Sequence, residues 1–288
     1  MSNEQDSAAA DEVFEDDERR KLQSRQKSEK GDGLTLSDLP LARIAHELRA
    51  PLNRINGFLD LLLAAEASAF GRSEAPDGSE LSQEARDYLQ RARASSEQLY
   101  LSLENLLCWL RASSGQLRLS SNMVALEDLI EGAVEELEYS ARLRHLRLEK
   151  RFAQELLTHY RKIRTDSQRA RQILRNLLAN ALAYTPVGGR ISLEATAATL
   201  PTGLVGLAIS IADSGVGIRP EALPQIFEPF YRAEPPAGSE QLLEGSGAGL
   251  GLGLSVARLL VEQLGGTIAV QSTPGMGTTV SVTLPTLT

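Results

Sequence analysis

Apolar residues recur every three or four positions along two long stretches of the first 115 residues, and each stretch reads as one face of a helix. Leu41, Ala45, Leu48, Leu52, Ile55, Leu59 and Leu62 trace the first face, the spacing of an amphipathic helix. Ser37 is placed to cap it, Pro40 is tolerated in its first turn, and the helix is predicted to run to about Ala67. Pro51 falls inside it. Its ring nitrogen carries no hydrogen and crowds the carbonyl of Glu47, which predicts a bend one turn past position 46. The stretch FGRSEAPDGSE, Phe70 to Glu80, is dense in Gly, Pro, Ser and Asp and reads as a turn. A second helix follows, from about Leu81 to Ala112. Its seam of Ala85, Leu89, Ala92, Ser96, Leu99, Leu103, Leu106 and Leu110 alternates steps of four and three, the a/d pattern of packed helices. Two helices joined by one turn have too little mass for a core of their own. Pairing two hairpins into a four-helix bundle buries both seams, so the length of the seams favours a homodimer over the alternative, a hairpin packed on its own downstream domain.

From about Gln116 the pattern turns to mixed helix and strand. A helix is predicted over Ala125–Leu143, with Leu126, Leu129, Ile130, Ala133, Val134 and Leu137 on one face. Strands are predicted near Leu146–Phe152, Thr158–Thr165, Arg190–Ala195, Leu204–Ala212, Thr267–Gln271 and Thr278–Leu284. Asp166 can cap a helix that runs to about Ala183, and a last helix is predicted over Leu254–Leu264. Strands beside helices without a repeating strand–helix–strand rhythm point to an α/β sandwich. The expected fold class is therefore α+β: an N-terminal hairpin at 37–114 forming a dimeric four-helix bundle, then a sandwich domain at 115–288.

Charge changes the picture at one end only. The first eighteen residues hold eight acids and no Lys or Arg, and the rest of the chain balances 30 acids against 30 bases. Residues 1–36 have too little apolar surface to offset the entropy of ordering, so a disordered acidic tail is expected. Followed by the basic cluster Arg19, Arg20 and Lys21, it could dock a partner, although such runs are more often simply solvated. A neutral body gives no reason to expect nucleic-acid binding. Cys108 is the single cysteine, which excludes an intrachain disulfide and fits a reducing compartment. No run approaches the roughly 18 to 20 apolar residues of a membrane span, and the acidic start is unlike a signal peptide. A cytoplasmic location without a membrane segment is expected.

Candidate chemistry then stands out. His46, followed by Glu47, lies beside the apolar face of the first helix, so its imidazole is expected to reach water. Asn176 and Asn180 are four apart and share a helix face; their neutral carbonyl oxygens suit Mg²⁺ beside a polyphosphate. Asp213 ends the apolar strand LAISIAD, where burial of a carboxylate needs a reason. Gly249, Gly251 and Gly253 precede a helix, so free amides and a helix N-terminus can face phosphates. The chain has no Gly-Lys pair, which excludes a Walker A loop, and the glycine run lacks the dinucleotide-fold spacing.

The motifs in order carry a resemblance. HELRAPLN, from His46, resembles the H box of sensor histidine kinases, and LLCWLRASSGQL resembles the exit from their hairpin. RQILRNLLANALAYTP resembles the N box, ADSGVGI and GAGLGLGLSVA glycine boxes, IFEPFYR the F box, and PGMGTTVSVTLP the last glycine box. These look like the ATP-binding domain that histidine kinases share with gyrase, MutL and a heat-shock chaperone. The resemblance implies ATP and Mg²⁺ as cofactors, with Asn180 and Asn176 at the metal. It implies that Asp213 accepts the adenine amino group, that Gly215 and Gly217 let the backbone approach the base, and that Tyr184 packs on its face. Arg232 reaches the phosphates, and 233–248 would be a mobile lid. His46 would take the γ-phosphoryl group with Glu47 orienting or deprotonating its other nitrogen, and pass it to an aspartate of a response-regulator receiver domain. Without a sensor of its own, such a kinase would take its signal from a separate input protein.

Two residues depart from the family. Ala183 replaces the usual N-box lysine, and Ala50 replaces the Thr or Asn four past the histidine. Ala183 motivates a rival reading, a nucleotide-binding pseudokinase scaffold that controls a partner kinase or regulator. A gyrase-like ATPase is a further rival, but it needs an acid in the N box where Asn176 and Asn180 stand.

Overall fold

A computed structural model of the chain describes residues 41–70, 83–154, 156, 162–200, 203, 205–234 and 249–285. The expected acidic tail, the Ser37 cap, the interhelical turn from 71 on and the lid from 235 lie outside these residues. Helix α1, Leu41–Phe70, runs through Pro51, whose ring is buried. Helix α2, Gln83–Ser113, follows. It stops in a Schellman motif: Gly115 takes φ +67°, its N–H donates to the carbonyl of Ala112 at 3.0 Å, and Gln116 donates to Arg111 at 2.8 Å. Glycine meets this left-handed requirement without strain. The two helices are joined by a hydrogen bond from Arg54 Nη2 to Gln98 Oε1 at 2.8 Å and by the stacked rings of Phe58 and Tyr88, 6.5 Å apart.

The expected seam is only partly covered. Ala85 and Ala92 are buried, but Leu89 and Leu103 on α2 and Leu52 and Leu59 on α1 are exposed. A chain that leaves this much of a regular apolar stripe in water has a face suited to a partner helix.

The sandwich begins with strand β1, Asn122–Ala125, which the sequence pattern did not predict. It pairs antiparallel with β3, Lys162–Thr165. Between them come helix α3, Leu126–Leu143, and strand β2, Arg147–Phe152. Helix α4, Ser167–Tyr184, is capped as expected: Asp166 Oδ1 accepts from Arg169 N at 3.0 Å. Its second oxygen accepts from Ser120 N at 2.7 Å, tying the segment after the hairpin to the start of α4. Strands β4, Arg190–Thr199, and β5, Val205–Asp213, helix α5, Gly253–Gln263, and strands β6, Thr267–Thr273, and β7, Gly277–Pro285, complete the domain.

The main sheet has the order β2-β4-β5-β7-β6, with β2 parallel to β4 and the other pairs antiparallel. Alternate residues are buried along the central strands: Ile191, Leu193 and Ala195 on β4, Leu207, Ile209 and Ile211 on β5, Val280, Val282 and Leu284 on β7. This period of two lays one sheet face against helices. Leu129 and Ile130 of α3, Ile173, Leu174 and Leu177 of α4, and Val256 and Leu260 of α5 supply the other layer. The result is the expected α/β sandwich. Its register sets Asp213, the last residue of β5, opposite Thr278 of β7, at the end of the sheet where the site forms.

Candidate active site

Helix α4 carries Asn176, Asn180 and Tyr184 at intervals of four, so they descend one face. The end of that helix is bound to the loop after β5, because Val216 N donates to Tyr184 O at 3.1 Å. The approach is tight: a Cβ on Gly215 would sit 2.4 Å from the same carbonyl, so only glycine fits. Gly215 therefore packs backbone on backbone, and it does not line the cavity described below.

Asp213 Oδ1 accepts from Gly215 N at 2.8 Å and from Thr278 N at 3.2 Å. One carboxylate oxygen is thus held by the fold, leaving Oδ2 as the acceptor for a ligand. Burial pushes the carboxyl up to about 6 from the usual 3.8, against the downward pull of the two backbone bonds. Burial also raises the Tyr184 hydroxyl, with the nearby Arg232 opposing.

The glycine run leads into α5, whose first residue is Gly253 and whose N-terminus has no side-chain cap. A Cβ at Gly253 would meet the Asn180 amide at 3.5 Å, so the open helix end faces that amide. Gly251, with φ +73°, accepts a hydrogen bond from Phe230 N at 3.0 Å. A Cβ at Gly251 would fall 2.6 Å from the Tyr231 carbonyl, so this turn also depends on glycine.

The hairpin forms the opposite wall. Trp109 meets Phe230 edge-on, with ring centroids 5.3 Å apart. Ser102 of α2 lies against Gly249. Arg232 Nη1 donates to Glu47 Oε1 at 3.0 Å, joining the F-box motif to the neighbour of His46. Deepest is a knot of buried amides. Asn105 Nδ2 donates to Asn176 Oδ1 at 2.6 Å; Asn176 Nδ2 and Gln172 Nε2 both donate to Asn105 Oδ1, at 3.0 and 3.1 Å. Beside it, Arg175 pairs with Glu104 at 3.3 Å. Sequence reasoning missed Asn105 and the part played by Gln172.

Between the walls lies a cavity of about 510 Å³. Asn176, Asn180, Tyr184, Asp213 and Gly217 line it, as do Arg232, Gly249, Gly251 and Gly253. His46 and Glu47 do not. His46 is exposed on the hairpin, as expected, and Glu47 is half-buried. The carboxamide of Asn180 has no hydrogen-bond partner among the described residues and is half-buried at the cavity wall, so its oxygen fits a hard cation held beside phosphates. Asn176 is committed to Asn105 in this arrangement.

A half-buried carboxylate at the end of a sheet, an uncapped helix N-terminus and a cavity between them make a site suited to a nucleotide, set against a helical hairpin with an exposed histidine. Comparison with known proteins agrees. Residues 41–115 match the His Kinase A (phospho-acceptor) domain, and residues 165–288 match the histidine kinase-, DNA gyrase B-, and HSP90-like ATPase domain, together more than half of the chain. The chain belongs to the histidine kinase family. It is 32% identical to the non-motile and phage-resistance protein of Caulobacter vibrioides over 85% of this chain and 26% of that protein. It is also 32% identical to the histidine protein kinase DivJ of the same organism, over 86% of this chain and 37% of DivJ. The solved full-length ShkA in complex with AMPPNP superposes with a TM-score of 0.54 at 27% identity, covering 86% of this chain and 46% of that one. The chain thus spans less than half the length of these relatives. Among the described residues no helix is long and apolar enough to cross a membrane.

The raised Asp213 carboxyl fixes a pH response. Below about 6 the proton would go to the oxygen that the two backbone bonds leave free, turning an acceptor for a ligand amino group into a donor. ATP affinity is expected to be flat above pH 7 and to fall about tenfold per unit below 6. Stability of the unliganded protein moves the other way. Its folded state binds this proton more tightly than the unfolded chain, so the group adds stability as pH drops from 6 toward 3.8. Calorimetric titrations between pH 5 and 8 check this; a flat affinity would show that Asp213 is not the acceptor.

Proposed function

We propose that this chain is an ATP-dependent protein-histidine kinase that phosphorylates His46 and passes the group to an aspartate of a response-regulator receiver domain. The observation that carries this reading is the single cavity in which Asp213, Asn180 and the Gly249–Gly253 run converge, with Arg232 bridging from its rim to Glu47 at 3.0 Å. Asp213 Oδ2 takes the adenine amino group and Tyr184 packs against the base. The amides at the start of α5 and Arg232 face the phosphates. Asn180 would hold Mg²⁺, which supplies positive charge to the phosphate oxygens when bound. One imidazole nitrogen of His46 attacks the γ-phosphorus. The N–P bond forms as the bond to the β–γ bridging oxygen breaks and ADP leaves, while the proton on the other ring nitrogen passes to Glu47.

Because His46 stands outside the cavity, transfer needs a different placement of the two domains, within one subunit or between two. The exposed leucines of α1 and α2 support a homodimer, with a second hairpin completing a four-helix bundle and the domain division near residue 114. The residue four past His46 bears on the reverse reaction. Ala50, one turn on and half-buried, has a methyl group that can neither orient nor accept from water. Asn53 is polar and exposed but lies about 10 Å along the axis from His46. The enzyme is therefore expected to be biased toward phosphorylation.

One experiment tests both halves. ATP labelled at the γ-phosphate should label the protein and then a cognate receiver domain, and phospho-receiver mixed with the ADP-loaded protein should keep its label. Ala50→Thr should shorten that lifetime several-fold. A parent protein that binds ATP and transfers nothing would favour the scaffold reading. Rapid label loss with the parent, unchanged by Ala50→Thr, would show that position 50 does not decide the balance.

A further inference from the structure

A triphosphate brings several negative charges into the cavity, so the cations on its wall can be ranked by what already holds them. Arg175 pairs with Glu104 at 3.3 Å, Arg91 with Asp87 at 2.8 Å, and Arg232 with Glu47 at 3.0 Å. Arg144 donates to the carbonyls of Leu182 and Thr185 at the end of α4, and burial lowers its pKa. Arg54 differs. It lines the same cavity, is half-buried, and its hydrogen bond goes to the neutral amide of Gln98 at 2.8 Å; it has no acidic partner among the described residues.

A guanidinium held by one neutral amide has donors to spare, in the planar fork that matches phosphate oxygens. Trading the Gln98 carbonyl for a phosphate replaces a neutral acceptor with a charged one, which is the stronger bond. Ala183, on α4, lines the cavity too and its methyl group supplies no charge. We infer that Arg54, from the hairpin, binds the polyphosphate of the nucleotide and supplies the cation that the N-box motif lacks. The inference rests on the ATP site proposed above. Under it the site is composite: one phosphate contact comes from α1, about 12 Å along the axis from His46 at 1.5 Å per residue. Nucleotide binding then favours the arrangement in which hairpin and sandwich meet, and by linkage that arrangement favours nucleotide binding.

The test is calorimetry on the full chain with ATP and with adenosine. Arg54→Gln is expected to weaken ATP about tenfold, the scale of one charge-assisted contact, while adenosine binds as in the parent. Arg54→Lys should lie between, since it keeps the charge but not the fork. Equal ATP affinity in the parent and Arg54→Gln would overturn the inference and leave the kinase reading intact. Equal losses for ATP and adenosine would also overturn it, marking Arg54 as a packing residue. A parent that binds neither ligand would overturn the ATP site, and the inference with it.

Discussion

Full-length His46→Gln is expected to bind ATP with the parent's affinity and to take up no phosphate. The affinity is untouched because His46 does not line the cavity. The loss is complete because glutamine has no nucleophilic ring nitrogen, and no neighbour can replace it. Of the two other histidines, His145 is exposed in the turn after α3, with φ 53° and no adjacent acid, and His159 lies outside the described residues. Label on the parent should be lost in acid and kept in base, as for an N–P bond. Label that persists in His46→Gln would remove the central claim.

Asp213→Asn is expected to reduce ATP affinity by well over tenfold while leaving the fold intact. The sequence alone allows an escape, in which the amide rotates to present its oxygen to adenine. The geometry closes that route. The oxygen equivalent to Oδ1 must keep accepting from Gly215 N and Thr278 N, so the amide NH₂ is forced to the position that faces the ligand. A donor then meets a donor. Losing a charge-assisted bond is worth roughly 1.5–3 kcal/mol, about ten- to a hundredfold, and the opposed donors add to it. Calorimetry with ATP, beside a thermal melt to confirm folding, decides the matter. Near-parental affinity in a folded variant would mean that adenine lies elsewhere.

What could be read from the chain follows from where each residue finds its partner. The strands and helices of the sandwich were legible because each buries one face, and burial imposes a period of two or of three to four. Strand β1 was not: its four residues are exposed or half-buried, so no alternation marks it. Asp166 was legible as a cap because its partner is three residues away. Asn105 was not, because its partners are 67 and 71 residues on, and a polar residue on a helix is ordinarily solvated. The one available signal was a second stripe on α2, opposite the leucine seam. Ser95, Asn105, Cys108 and Trp109 are all buried there, and a seam search for leucines passes over them. The glycines were found, but some of their reasons were not. Gly215 and Gly251 are required by neighbouring carbonyls rather than by the base or the phosphates.

The amide knot of Asn105, Asn176 and Gln172 has a consequence for how motion in the hairpin is felt. All three side chains are nearly without solvent, and Arg169 extends the chain by donating to Gln172 Oε1 at 2.9 Å. If α2 slid by one residue, Glu104 or Leu106 would face Asn176, and amides would be left buried without partners at roughly 1–3 kcal/mol each. No intermediate register satisfies them. The two surfaces therefore mesh in one way or separate into water, where every amide is solvated again. A small twist arriving along α2 is expected to leave the contact intact until it exceeds what the knot tolerates. The hairpin would then act on the sandwich as a threshold device rather than a dial.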